Sequence, residues 1–176
     1  TGNCGLSNVD LGLYFRQLDS VKTSVNVASL IGHNDVRKAV MGTVNRAATP
    51  SEQQAMEALV EKAMKDGGVG LATGLIYVPG TYSKTEEVVG LAKVAARYGG
   101  VYASHIRYEG DEILKAIDEA VEIGRQANIP VQISHFKVSG QNNWGRSKET
   151  IAAVENARRE GIDVTIDQYP YTASST

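Results

Sequence analysis

Short β-branched runs alternate with amphipathic segments along most of this chain. Four such runs begin at Val69, Val101, Pro130 and Asp163, at intervals of 32, 29 and 33 residues. Each run is short, and Gly, Pro or Asn residues bound it. Alternation with this period is typical of βα units arranged around a parallel sheet. The spacing therefore predicts an α/β fold.

The same periodicity indicates where the elements lie. Thr49 and Glu52 form a capping box around Pro50, and Ser83 and Glu86 are spaced in the same way. The segment Thr1–Val21 is too irregular to assign. The predicted strands are Ser24–Ile31, Val69–Ile76, Val101–Ile106, Pro130–Phe136 and Asp163–Tyr169, and the predicted helices begin near Thr49, Ser83, Asp111 and Ser147.

Two architectures share this pattern, an open doubly wound sheet and a (β/α)8 barrel. The glycines of Gly68–Gly74 lack the spacing of a dinucleotide-binding fingerprint and lie inside the predicted strand. A complete barrel needs about 250 residues. We therefore favour a partial (β/α)8 TIM-type barrel of about five consecutive βα units, folded as a single domain over residues 1–176.

Composition excludes several classes of protein. The 176 residues are 42% hydrophobic, and 18 Lys and Arg face 20 Asp and Glu for a net charge of −2. A balanced charge offers no basic surface for nucleic acid or for an anionic membrane. No apolar stretch approaches the roughly 18 residues of a membrane helix. A single cysteine and no signal-peptide pattern favour a cytoplasmic location, and a first residue other than Met predicts an internal part of a longer protein.

Two histidines follow neighbouring strands at equivalent positions. His105 and His135 are 30 residues apart, and each follows a Ser near the end of its strand. Residues at the same depth of adjacent parallel strands are expected to point to one side, at the end of the sheet where active sites form. Two adjacent imidazoles suit Zn²⁺ or a similar ion. The alternative is that both are structural residues held by hydrogen bonds.

Cys4 is the candidate third ligand, because its flanking glycines allow the unusual turns that bring a thiolate close to an ion. A small buried hydrophobic role is the alternative. His33 has no partner one βα unit away, so we interpret it as structural or as a lesser pocket residue.

Further candidates lie at or beyond the strand ends. Lys137 points to the side of His135 if the strand continues, where it would meet a substrate oxyanion or carboxylate. A solvated loop lysine is the alternative. Tyr77, Tyr169 and Tyr171 fall at strand ends as pocket residues or as rim packing.

Five motifs in order together resemble one family, the D-aminoacylases (N-acyl-D-amino-acid deacylases) of the amidohydrolase superfamily. The motifs are Gly-Asn-Cys-Gly-Leu-Ser at 2–7, Gly-Leu-Ile-Tyr-Val-Pro-Gly at 74–80, Tyr-Ala-Ser-His-Ile-Arg at 102–107, Gln-Ile-Ser-His-Phe-Lys at 132–137 and Asp-Gln-Tyr-Pro-Tyr-Thr-Ala at 167–173. The resemblance covers essentially all 176 residues.

The resemblance implies a zinc-dependent hydrolase on a distorted (β/α)8 barrel that cleaves the acyl group from small-molecule N-acyl-D-amino acids. It implies that Cys4 takes the metal-bridging place and that His105 and His135 are the strand-end ligands.

The resemblance also assigns roles beyond the metal. It implies that Lys137 is a catalytic and substrate-binding residue, that Tyr77 binds substrate, and that Tyr169 lines the pocket. A carboxylate must also move a proton from water to the leaving amine.

The sequence departs from the family in two places. The His-x-His pair of the superfamily's first strand is absent, and the catalytic aspartate expected from the last barrel strand lies beyond Thr176. We expect the intact parent enzyme to be active and these 176 residues alone to have little activity. An incomplete barrel also exposes edge strands, so we expect the isolated protein to self-associate.

Two rival hypotheses remain open. One is a hydrolase of cyclic amides, of the hydantoinase or dihydropyrimidinase kind, against which the cysteine motif argues. The other is a metal-free structural module in which the histidines only form hydrogen bonds.

Overall fold

The computed structural model of the protein describes residues 1–171 and 173. Within them, one parallel sheet has its strands in sequential order from β1 to β5. The strands are β1 (Ile31–Gly32), β2 (Gly70–Gly74), β3 (Val101–His105), β4 (Val131–Ile133) and β5 (Val164–Ile166).

Helices alternate with these strands along the described part of the chain. They are α1 (Leu11–Val21), α2 (His33–Met41), α3 (Pro50–Lys65), α4 (Thr85–Ala96), α5 (Ile113–Ala127) and α6 (Ser147–Arg159). Right-handed crossovers between strands in sequential order put the helices on one face of the sheet, as in a barrel. A doubly wound sheet would reverse its strand order. The predicted α/β class and partial-barrel architecture are thus confirmed.

The two faces of the sheet have different cores. Leu71 and Tyr102 belong to the main core, which also contains the buried faces of all six helices. Their neighbours Ala72 and Ala103 form a separate small cluster with Leu30. Successive strand residues point to opposite faces, so this second cluster marks the face turned away from the helices.

The start of α3 agrees with the sequence. Thr49 accepts the backbone N–H of Glu52, and the Glu52 carboxylate accepts the backbone N–H of Thr49, which is the predicted capping box. The similar prediction for α4 is wrong. The Ser83 hydroxyl donates to the carbonyl of Gly80 at 2.7 Å, and α4 begins at Thr85 without a side-chain cap.

The structure also corrects one predicted strand and resolves the segment that the sequence leaves unassigned. The predicted strand Ser24–Ile31 is reduced to β1, which begins at Ile31. The unassigned segment Thr1–Val21 contains a 3₁₀ turn and α1. In α6, Ile151 is 46% exposed, and the preceding Thr150 is buried. None of the helices in the described part of the chain is long and apolar enough to cross a membrane.

Candidate metal centre

A tight turn brings Cys4 to the end of the sheet where the strands finish. The 3₁₀ turn Asn3–Gly5 holds Cys4 at a φ of 56°, between Gly2 and Gly5 at 87° and 77°. A side chain at Gly5 would overlap Asn34 and the backbone of β2, so only glycine allows this approach. The glycines predicted to permit an unusual turn therefore do so.

Ser7 anchors this turn to the end of β1. Its hydroxyl accepts the backbone N–H of Gly32 at 2.7 Å, and its own N–H donates to Asp35 Oδ2 at 2.8 Å. The Gly-Asn-Cys-Gly-Leu-Ser motif therefore forms a turn that is held by hydrogen bonds and positions Cys4 against β1 and β2.

His105 is the last residue of β3, opposite Gly74 at the end of β2. It shares the sheet face of Ala103 two residues earlier, away from the helices. The ring is 4% exposed, because Tyr77 packs against it with 4.8 Å between ring centroids.

His135 reaches the site by a route that the sequence did not predict. β4 ends at Ile133, and Tyr102 rather than Val101 pairs with Val131, so the two strands are offset by one residue. Regular alternation would point His135 toward the helices. Its φ of 40° turns the side chain back to the other face. The expected convergence is present, but the equal depth from which it was inferred is wrong.

The three candidate ligands lie together. His135 Nε2 is 2.8 Å from His105 Nδ1 and 3.7 Å from Cys4 Sγ, and the three ligand atoms all lie within 4.8 Å of one another. A tetrahedral zinc ion with bonds of about 2.0–2.3 Å holds such atoms about 3.3–3.8 Å apart. One thiolate and two imidazoles are donors that zinc prefers. The donor set fits zinc after a small separation of the two rings.

Lys137 also lies at the site, although β4 does not continue to it. Its Nζ is 3.2 Å from His135 Nδ1 and 5.7 Å from the ring centroid of Tyr169. Tyr171, by contrast, is 75% exposed. The structure therefore groups Lys137, Tyr77 and Tyr169 around the histidines.

Glu109, which follows β3, is a site residue that the sequence did not reveal. Its Oε1 lies 2.6 Å from Lys137 Nζ, 3.1 Å from His135 Nδ1 and 3.6 Å from His105 Nε2. The signal was its place four residues after His105 in the βα loop, at the end of the sheet where active sites form.

Asp167 and Asn34 hold the backbone around the site. Asp167 Oδ1 accepts the backbone N–H of His135 at 2.6 Å. The Asn34 amide donates to the carbonyls of Gly74 and Tyr77 and accepts the N–H of Gly74. Neither set of contacts leaves a sequence signal, because each joins segments that are distant along the chain.

Burial and neighbouring charges shift the pKa values of the two histidines and of Glu109. Burial and the neighbouring His135 lower the pKa of His105 to about 4. Contacts with Cys4 and Glu109 raise the pKa of His135 to about 9. Burial alone would raise the pKa of Glu109, but its contacts with His135 and Lys137 outweigh burial and lower the pKa to about 2. Without a metal, His135 is the protonated histidine.

His33 lies apart from this group. It is in the first turn of α2, is fully buried, and its Nε2 is 2.8 Å from Glu87 Oε1. Its surroundings are those of a structural residue.

Known proteins are similar to this chain in fold and in sequence. No family model matches the chain. A D-aminoacylase from Alcaligenes xylosoxydans xylosoxydans is 39% identical over 199 residues, which cover 100% of this chain and 41% of that protein. The crystal structure of a D-aminoacylase that defines a subset of amidohydrolases superposes with a TM-score of 0.91 at 40% identity, over 97% of this chain and 41% of that one.

A second solved structure carries ligands. An N-acyl-D-glutamate deacylase from Bordetella bronchiseptica, complexed with zinc and a phosphonate mimic of the tetrahedral intermediate, has a TM-score of 0.92 at 37% identity. The match covers 97% of this chain and 41% of that one. The chain thus spans about two fifths of the length of the proteins it matches.

Proposed function

We infer the function from the family, because the chain belongs to the D-aminoacylases of the amidohydrolase superfamily. We propose that its parent protein uses zinc to hydrolyse the amide bond of N-acyl-D-amino acids. The observation that carries the proposal is the convergence of Cys4, His105 and His135, whose ligand atoms lie within 4.8 Å of one another.

Three atoms would hold the ion: Cys4 Sγ, His105 Nδ1 and His135 Nε2. With these donors, a bound zinc ion would supply an activated water, whose pKa it would lower to about 7, and would polarise the substrate carbonyl. The zinc in the related N-acyl-D-glutamate deacylase supports this choice of metal.

The surrounding side chains would bind and orient the substrate. The Lys137 ammonium is placed to pair with the substrate carboxylate or with the oxyanion that forms when water adds to the amide. Tyr77, which packs on His105, would bind substrate, and Tyr169, whose ring lies next to Lys137 Nζ, would line the pocket. These are the roles proposed for the three residues.

The chain is proposed to be a single domain that forms part of a larger catalytic barrel, consistent with its coverage of 41% of its relatives. The carboxylate that transfers the proton to the leaving amine is then supplied by the rest of that barrel. The isolated protein of 176 residues is expected to have little activity.

Two further proposals concern the protein in its surroundings. The isolated protein would self-associate through the edges of β1 and β5, each of which has a single partner strand within the described residues. A cytoplasmic location is proposed because a reducing compartment keeps the Cys4 thiol free to bind metal.

The activity is tested with the zinc-loaded parent protein. N-acetyl-D-methionine and N-acetyl-D-glutamate are compared with their L enantiomers and with a hydantoin and a dihydropyrimidine. Hydrolysis of the two acyclic D substrates alone is the expected result. Turnover of the cyclic amides alone would support the rival hydrolase instead. Turnover by the isolated 176 residues at enzymatic rates would contradict their proposed inactivity.

A further inference from the structure

We propose that Glu109 is a positioning residue that orients both histidine ligands and Lys137 through a single carboxylate oxygen. This inference rests on the proposed zinc site. It concerns the ring nitrogens of His105 and His135 that face away from Cys4.

The first step is the orientation of the two rings. His105 Nδ1 and His135 Nε2 face each other beside Cys4 and are the atoms available to a metal. The nitrogens left over are His105 Nε2 and His135 Nδ1, and they lie 3.6 and 3.1 Å from the same atom, Glu109 Oε1. One oxygen therefore faces both outer nitrogens.

The second step is that His105 Nε2 needs this acceptor. It is buried and has no hydrogen-bond partner among the described residues, and the Glu109 carboxylate oxygen Oε1 lies 3.6 Å from it. An imidazole that binds metal through one nitrogen carries its proton on the other, and a carboxylate at that proton fixes both the tautomer and the ring plane. Glu109 would do this for the two ligands together.

The third step is that the loop holds the carboxylate in place. The Glu109 carbonyl accepts the N–H of Ser139 at 2.7 Å, which ties the loop after β3 to the loop after β4. The side chain is 14% exposed, and Lys137 Nζ lies 2.6 Å from Oε1. The carboxylate thereby also sets the position of the ammonium proposed to bind substrate.

The inference is tested by zinc affinity rather than by activity. Glu109→Gln, Glu109→Asp and the wild type are titrated with zinc against a competing chelator, and the cobalt-substituted proteins are compared by visible absorption. The matched control is Glu119→Gln, because the Glu119 side chain is 13% exposed and pairs with Arg107 of the loop after β3. Thermal unfolding of each variant reports whether it has folded.

The expected result is a zinc dissociation constant about 10–100-fold higher in Glu109→Gln, a changed cobalt spectrum, and partial recovery in Glu109→Asp. Glu119→Gln is expected to bind zinc as the wild type does. Unchanged affinity and spectrum in Glu109→Gln would overturn the inference and leave the zinc site intact. A wild type that binds no zinc would overturn the zinc site and the inference with it.

A double variant distinguishes orientation of the histidines by Glu109 from simple neutralisation of the Lys137 charge. If Glu109 only neutralised Lys137, adding Lys137→Met to Glu109→Gln would restore the wild-type affinity for zinc. If Glu109 orients the histidines, the double variant stays as weak as Glu109→Gln. Restoration would overturn the inference.

Discussion

Lys137 is the residue whose proposed role is most open to direct measurement. Its Nζ lies between Glu109 and His135, where a substrate carboxylate can reach it. A hydrogen bond to a charged group contributes about 1.5–3 kcal/mol, so Lys137→Met is expected to lower kcat/KM of the parent enzyme about 10–100-fold, mainly through KM. The exposed Lys148 provides the control, Lys148→Met. Equal kcat/KM in both variants would remove Lys137 from the site.

Single residues also show what the sequence could not predict. The histidine spacing and the family motif predicted that Cys4, His105 and His135 come together, and the structure places their ligand atoms within 4.8 Å of one another. The one-residue offset between β3 and β4, and the left-handed backbone at His135 that compensates for it, appear only in the fold. Glu109 was missed because acidic loop residues are common and nothing in the sequence shows that two histidines and a lysine surround it.

At the scale of the elements, a buried ionic trio joins α2 to α4. Glu87 lies 2.8 Å from His33 and 2.5 Å from Arg37, and all three side chains are buried. Removing one partner of a buried ion pair costs about 3–5 kcal/mol. Glu87→Gln is therefore expected to lower the free energy of unfolding by about this amount, and Glu86→Gln, on the exposed side of the same turn, by far less.

The same trio predicts a dependence on pH. Burial would raise the pKa of Glu87, but His33 and Arg37 outweigh it and hold the pKa below the usual 4.5. A lowered folded-state pKa gives stability that is present above the unfolded-state pKa and is lost as the pH falls below it. Thermal unfolding from pH 7 to pH 3 should show a loss below about 4.5 that is smaller in Glu87→Gln. Equal losses in both proteins would contradict this assignment.

The contact between β2 and the Cys4 turn is a second feature of this scale. A side chain at Gly74 would overlap the Cys4 carbonyl oxygen and the Tyr77 ring. Overpacking of this kind costs about 1–3 kcal/mol, and Gly74→Ala is expected to weaken zinc binding because it displaces the thiol. Gly90→Ala is the control, since its new methyl group meets only the side-chain ends of Gln53 and Glu57. If Gly74→Ala binds zinc as tightly as the control does, the contact between β2 and this turn does not position the Cys4 thiol.

The elements that were predicted and those that were not differ in the chemistry of their buried faces. α3 and α5 bury apolar residues at helical spacing, which a sequence displays directly. α2 buries His33, Asn34 and Arg37 together with Val36 and Met41, and its N-cap residue makes no side-chain hydrogen bond. Polar side chains interrupt the few apolar positions of this short helix, and no capping residue marks its start, so no helix was predicted there.

For the molecule as a whole, the sheet edges predict association. β1 and β5 each pair with a single strand within residues 1–171 and 173, which leaves backbone donors and acceptors available to another copy. We expect light scattering of the isolated protein to show dimers or larger species that increase with concentration. A monomer at high concentration would contradict this proposal.

The sequential strand order was the part of the whole fold that the repeat alone could not decide. The period of the βα units fits a barrel and a doubly wound sheet equally. The pairing of each strand with the next one in sequence distinguishes them. It also brings the ends of β2 and β3 and the turn that follows β4 to one edge, where the candidate ligands meet.

The central claim is that Cys4, His105 and His135 form a zinc site, and metal content tests it most directly. Zinc per protein molecule is measured by elemental mass spectrometry on the wild type and on His135→Ala, purified identically without added metal. We expect close to one zinc per wild-type molecule and its loss in His135→Ala. No zinc in either protein, with the fold intact, would contradict the claim and favour histidines that only hydrogen-bond to each other.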